Sequence, residues 1–184
     1  MIAVIDCGGA NLRSVSYALE KLNIDYHICN KKKQIKDAEA LVLPGVGAAK
    51  NVMNTLKSQD LTETIKNFKN PILGICVGMQ ILYEYSDEEN EICLGMIPGR
   101  VKKFQSNNLI VPQMGWNKVK FNNSSFDDCD GYYYFANSYY ADINSFTKGS
   151  SIYLSLIHIS EPTRLLSIGF GGRGVEKKKG GGGG

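Results

Sequence analysis

The run Asn70-Pro71-Ile72-Leu73-Gly74-Ile75-Cys76-Val77-Gly78-Met79-Gln80 leaves the chain few ways to fold. An apolar stretch meets a glycine, then a thiol two residues on, then another glycine two residues beyond the thiol. The spacing predicts a buried strand, a one-residue corner at Cys76 and the first turn of a helix. This is the nucleophile-elbow arrangement, with Cys in place of Ser. Side chains at the flanking positions would collide where strand and helix cross, and the corner demands strained backbone angles. Such a corner pushes the sulfur out of the sheet's carboxyl end, beside a helix N-terminus whose dipole favours thiolate. The alternative is a core cysteine between two tolerated glycines.

The rest of the chain agrees with a sheet that such an elbow can close. Met1 to Asp6 is a short, nearly all-apolar run, as in a strand buried on both faces. Cys7-Gly8-Gly9-Ala10 reads as a turn, Asn11 as an N-cap, and Leu12, Val15, Ala18, Leu19 and Leu22 recur at helical spacing. Asp25 to Cys29 and Ala40 to Leu43 read as strands, with Lys31-Lys32-Lys33 a solvated loop between them. Helical patterns through Val52, Met53 and Leu56, then Leu61, Ile65 and Phe68, precede the elbow. After Gly95 the chain turns to Val, Tyr and Phe punctuated by Asn, Asp and Gly, the pattern of short strands and hairpins. The expected class is α/β: a doubly wound, mostly parallel sheet with flanking helices and an antiparallel extension.

Composition excludes several alternatives. A length of 184 residues, 43% hydrophobic and 21% charged, suits one soluble globular domain. No apolar run approaches the roughly 18 residues of a membrane helix, and no secretory signal opens the chain. The expected location is therefore the cytoplasm. Five cysteines without C-x-x-C spacing, and only two histidines, argue for free thiols and against zinc. Neither metal nor cofactor is expected. The net charge of +3 resides in the residues from Glu161 onward, so the remainder is neutral and gives no argument for nucleic acid.

That C-terminal stretch is anomalous. It ends in Lys177-Lys178-Lys179 followed by glycine to Gly184, and Leu154 to Arg164 reads as an in-frame translation of a transposase sequencing adapter. Residues 1–153 are expected to form the native domain, truncated at its C-terminal end. Residues 154–184 are expected to be a non-native, disordered tail; a genuine Gly-rich tail is the alternative.

Five segments together resemble the class I glutamine amidotransferases, and within them the glutaminase subunits of imidazole glycerol phosphate synthases. They are Asp6 to Val15, Leu43-Pro44-Gly45-Val46-Gly47, Gly74 to Gln80, Val111 to Asn117 with its Met114-Gly115-Trp116-Asn117, and Tyr134 to Tyr140. The resemblance implies that fold, and hydrolysis of glutamine to glutamate and ammonia. Cys76 would attack the side-chain amide and form a thioester. Backbone groups of Val77 and Gly45 would stabilise the oxyanion. Gln80, Glu88, Ser138 and Tyr139 would hold the α-amino and α-carboxylate groups of glutamine. Asn11, Met114 and Trp116 would meet a (βα)8-barrel cyclase subunit that receives the ammonia and makes imidazole glycerol phosphate and AICAR in histidine biosynthesis. Without the resemblance, Glu88 reads as solvated surface and Trp116 equally as core.

The chain departs from the family pattern. Cys7 stands where Tyr is usual, and Gln113 and Asn137 where His is usual. The family's triad is completed by His and Glu near the C-terminus, and no such segment occurs here. His27 belongs to a distant strand, and His158 with Glu161 has the wrong spacing. This polypeptide is therefore expected to be nearly inactive. Three alternatives stand beside the leading reading: a paralogous glutaminase feeding a sugar amidotransferase for surface glycans, a non-catalytic scaffold that binds a synthase barrel, and a flavodoxin-like nucleotide-binding module.

Overall fold

A computed structural model describes residues 1–8, 12–105, 110–121, 129–153, 155–160 and 165–167, the last two stretches by backbone alone. Three apolar runs become the heart of a parallel sheet: β1 (Ile2–Ile5), β3 (Ala40–Gly45) and β4 (Ile72–Cys76). With β2 (Tyr26–Cys29) and β13 (Leu165–Ser167) the strand order is β13-β4-β3-β1-β2, every neighbour parallel. Parallel neighbours need crossovers, and helices supply them. These are α1 (Leu12–Lys21), α2 (Lys32–Lys36), α3 (Ala49–Ser58) and α4 (Thr62–Lys66).

The two faces of this sheet differ. Ala3, Ile5, Leu41, Leu43 and Ile72 point to one side, where Val52, Met53 and Leu56 of α3 and Ile65 of α4 seal them from solvent. Each of the larger apolar side chains contributes about 1.5–3 kcal/mol on burial, so this face carries the core. The other side is covered by α1, which has no buried residue. An apolar groove lies there between Val15 and Leu19 of the helix and Val42, Leu73 and Ile75 of the sheet.

Two further sheets follow. The second contains β5 (Tyr83–Ser86), β6 (Glu91–Ile92), β7 (Ile97–Lys103) and β10 (Tyr139–Ala141) in the order β10-β7-β5-β6. The third contains β8 (Gln113–Phe121), β9 (Gly131–Asn137), β11 (Thr147–Tyr153) and β12 (Ser155–Ser160) in the order β12-β11-β8-β9, all antiparallel. The extension therefore starts at Tyr83, before the Gly95 boundary expected from composition. Segments β12 and β13 lie within the stretch read from sequence as a foreign tail. Among the described residues no helix is long and apolar enough to cross a membrane.

Two local expectations need correction. The lysine run is not a loop: Lys32 and Lys33 open α2, because Ile35 is fully buried and anchors one helical turn. Lys32 is held there by an ion pair with Asp60. The helix after the elbow, α5 (Val77–Gln80), is only one turn long. The backbone of Leu82 and Tyr83 is drawn into bonds with Met96, Ile97 and Gly95, which ends it.

Candidate active site

The elbow forms as the glycine spacing demands. Cys76 has φ 55° and ψ −119°, a conformation that L-residues rarely adopt, and it joins β4 directly to α5. The three glycines are fixed by contact. A Cβ on Gly78 would lie 1.8 Å from the Leu43 carbonyl oxygen, one on Gly74 would lie 2.6 Å from Met79 Cα, and one on Gly45 would lie 2.5 Å from the Gly78 nitrogen. All three targets are backbone atoms, which cannot swing away. The crossing closes only without these side chains, and it leaves Cys76 exposed while the other described cysteines are buried or half-buried.

Gly45 is the register partner of Cys76 at the carboxyl ends of β3 and β4. The chain continues through exposed Val46 and Gly47, at φ 80°, into α3. The Gly45 segment expected to face the oxyanion thus lies beside the thiol, and the Val77 N–H is aimed at the sulfur.

Electrostatics at the thiol run against the sequence-based expectation. Burial of the sulfur's surroundings raises the Cys76 pKa first, the Val77 N–H lowers it, and the Glu88 carboxylate raises it again. A one-turn helix carries little aligned dipole, so the expected help from its N-terminus is not there. The thiol is held protonated more firmly than a free cysteine, which makes a base more necessary. Among the described side chains the sole histidine is His27, in β2 at the far edge of the sheet, where its Nε2 lies 3.1 Å from the Gln34 carbonyl oxygen. The backbone of His158 lies in β12, opposite Ser150 in the third sheet.

Of the residues expected around glutamine, the structure brings Glu88 close to Cys76 and to Tyr139. Gln80 follows Cys76 by four residues on the same turn, and its Oε1 is buried with no partner among the described residues. Glu88 lies in a 3-10 turn (Glu88–Asn90), and its carboxylate acts on both Cys76 and the Tyr139 hydroxyl. Glu88 is half-buried rather than free surface: burial raises its pKa and the Ala49 N–H, 3.0 Å from Oε2, lowers it. Ser138 sits in the one-residue break between β9 and β10, its carbonyl accepting from the Phe104 N–H at 3.0 Å. Ala49 is the contact that sequence reading missed. Its signal is Ala48, a helix start with no capping side chain, which implies an acceptor from elsewhere.

The residues expected at a partner surface lie apart. Met114 and Trp116 are 69% and 53% exposed on one face of the third sheet, so Trp116 is not core. Trp116 pairs across the strands with Tyr134, ring centroids 5.7 Å apart and edge to face. Tyr132 and Ile152 extend the same exposed strip. Asn11 falls outside the described residues. The departures Gln113 and Asn137 are register partners across β8 and β9. Gln113 is buried, with neither amide atom partnered among the described residues.

Comparison with known proteins agrees with this geometry. The family Glutamine amidotransferase class-I matches residues 3–143, which takes in the elbow, Gly45, Glu88, the second sheet and the first sheet apart from β13. The chain belongs to the class I glutamine amidotransferases. Among curated relatives of this amidotransferase is the imidazole glycerol phosphate synthase subunit HisH of Haemophilus influenzae, 40% identical over 156 residues, which cover 83% of this chain and 78% of that protein. The HisH subunit of Idiomarina loihiensis is 36% identical over 154 residues, covering 83% and 79%. A solved structure described as a glutamine amidotransferase superposes with a TM-score of 0.70 at 14% identity, over 90% of this chain and 87% of that one. At that identity the superposition speaks for the fold alone.

Proposed function

We propose that this amidotransferase is the glutaminase subunit of an imidazole glycerol phosphate synthase in histidine biosynthesis. The observation that carries the reading is Cys76 itself, a strained, exposed thiol at a corner whose glycines have no other reason to be there. The Cys76 thiolate attacks the side-chain amide carbon of glutamine, and the carbonyl electrons move onto oxygen. The Val77 N–H and the Gly45–Val46 backbone face that oxyanion; losing one such donor typically costs about 10²–10³-fold in rate. Collapse breaks the C–N bond and, with a proton delivered to nitrogen, releases ammonia and leaves a thioester. Water then attacks the thioester to give glutamate. Gln80, Glu88, Ser138 and Tyr139 hold the amino-acid end of the substrate. The orphaned Gln80 Oε1 suits an N–H donor, and Glu88 suits the ammonium.

The ammonia passes to a (βα)8-barrel partner that docks on the Met114, Trp116 and Tyr134 strip. An exposed, tightly paired aromatic strip is the composition expected of an interface core. The HisH names of the relatives favour this partner over a sugar amidotransferase. On this reading the amidotransferase unit is residues 1–153 and residues 154–184 are foreign to it, even though the backbones of β12 and β13 pair with β11 and β4. Resequencing the source locus tests this, since continuous coverage through Tyr153 into the same tail would end the idea.

Among the described side chains none stands beside Cys76 as a base, since the one histidine there, His27, lies in β2 at the far edge of the sheet. Proton transfer typically contributes about 10²–10⁴-fold, and the raised thiol pKa adds to the deficit. Incubated with glutamine, the chain is expected to yield no glutamate above a Cys76→Ala control. Turnover that disappears with His158→Ala would overturn this.

A further inference from the structure

We propose that Glu88 is a positioning residue for the oxyanion loop: one carboxylate oxygen pins the start of α3, and with it the Gly45–Ala48 segment beside Cys76. The role of the loop rests on the glutaminase reading, whereas the pin is a feature of the fold. Helix α3 begins behind Ala48, which has the extended backbone of an N-cap (φ −91°, ψ 147°) but no side chain able to accept a hydrogen bond. The first N–H groups of a helix have no partner inside it. Ala49 is fully buried, so water is a poor substitute. The acceptor comes instead from 39 residues away, where the Ala49 N–H donates to Glu88 Oε2 at 3.0 Å.

The geometry on either side makes this contact consequential. Only Val46, Gly47 and Ala48 separate β3 from α3. Val46 is exposed, and a Cβ on Gly47 would meet nothing within 4 Å, so the middle of the loop has little packing of its own. Its first end, Gly45, is jammed beneath Val77 and Gly78. Its other end is Ala49. Glu88 is itself well founded, since its N–H donates to the hydroxyl of fully buried Ser86 at 3.2 Å, and Glu89 and Asn90 after it adopt positive φ to close the turn. A carboxylate has two oxygens to offer. With Oε2 on Ala49, Oε1 remains for the ammonium of glutamine, so one side chain both reads the substrate and fixes the loop that its oxyanion needs.

Hydrogen exchange and Cys76 alkylation on the full 184-residue chain test this. The probe is a chloromethyl ketone analogue of glutamine in alkaline buffer, with iodoacetamide as a reagent that lacks the amino-acid end. The thiolate sulfur bonds to the methylene carbon and chloride leaves with the bonding pair. The ketone oxygen lies where the amide oxygen would, so the saturated rate reads the loop and the half-saturating concentration reads substrate contacts. Glu88→Ala is expected to speed exchange at the first amides of α3 by about fivefold, the usual effect of losing a cap. It also lowers the saturated ketone rate about tenfold relative to iodoacetamide. Glu88→Gln keeps an oxygen for Ala49, so exchange and saturated rate stay within about twofold while the half-saturating concentration rises about tenfold. Adding Ala48→Ser to Glu88→Ala supplies a local cap and restores exchange and rate, but not affinity. Wild-type exchange in Glu88→Ala, or a lost rate that Ala48→Ser fails to restore, would overturn the proposal. If the wild-type chain reacts with iodoacetamide but not with the ketone, the glutaminase reading fails and the exchange data alone decide the pin.

Discussion

The elbow and the exposed strip of the third sheet treat side chains in opposite ways. At the crossing of β3, β4 and α5, backbone meets backbone, and a single methyl group at Gly78 would sit 1.8 Å from a carbonyl oxygen. On β8 and β9, Trp116, Tyr132 and Tyr134 stand out in solvent, and a Cβ on Gly115 would meet nothing within 4 Å. One region is over-determined, which lets it hold Cys76 in a conformation that would otherwise relax. The other has large apolar side chains left exposed among the described residues. The first suits chemistry at a fixed point, and the second suits the docking surface proposed above.

The sharpest way to break this contrast is to add the same methyl group to both regions. Gly78→Ala is expected to lose about 3 kcal/mol or more of stability, because the clash is with backbone. Gly115→Ala should stay within about 0.5 kcal/mol. Urea unfolding midpoints measure both, and equal losses would erase the distinction. Next in size is Trp116→Ala. Its edge-to-face pair with Tyr134 is worth about 0.5–1.5 kcal/mol to the fold, while affinity for the proposed barrel subunit should fall by about 2 kcal/mol or more, as for an interface hot spot. Calorimetric titration showing unchanged affinity would remove this strip from the interface. Smaller again is the strain at the corner: Cys76→Gly should be about 1 kcal/mol more stable than Cys76→Ala, since glycine accepts positive φ freely. Equal unfolding midpoints would mean that the corner stores no strain.

The smallest expected effect concerns charge. The Glu88 carboxylate disfavours the thiolate at Cys76, so removing its charge must lower the thiol pKa. The pH midpoint for alkylation by neutral iodoacetamide should therefore move down in Glu88→Gln. A midpoint that moves up would contradict the proximity of the two groups.

The elbow was legible in the sequence because its glycines are dictated by contacts within one short stretch. Alternation of apolar strands with helical patterns similarly exposed the parallel sheet. What escaped was set by residues far apart in the chain. Val77 to Leu82 carries an apolar pattern that suits a longer helix, yet it stops after one turn because β5 is claimed by β7, and the expected dipole at Cys76 goes with it. The lysine run hid a turn anchored by the single apolar residue Ile35. Glu88, in an acidic cluster, gave no local sign that its partner lies at Ala49; only the missing cap at Ala48 hinted at it. Trp116 was undecided between core and surface because one aromatic residue in a strand fits either face equally well.

The most direct test of the central claim is mass spectrometry of the chain after exposure to the chloromethyl ketone analogue of glutamine, with and without excess glutamine. If Cys76 stands ready at the mouth of a glutamine pocket, a single adduct forms, maps to Cys76 and is suppressed by glutamine, while buried Cys7, Cys29 and Cys93 remain unmodified. Adducts spread over several thiols, or a Cys76 adduct that glutamine leaves undiminished, would contradict it.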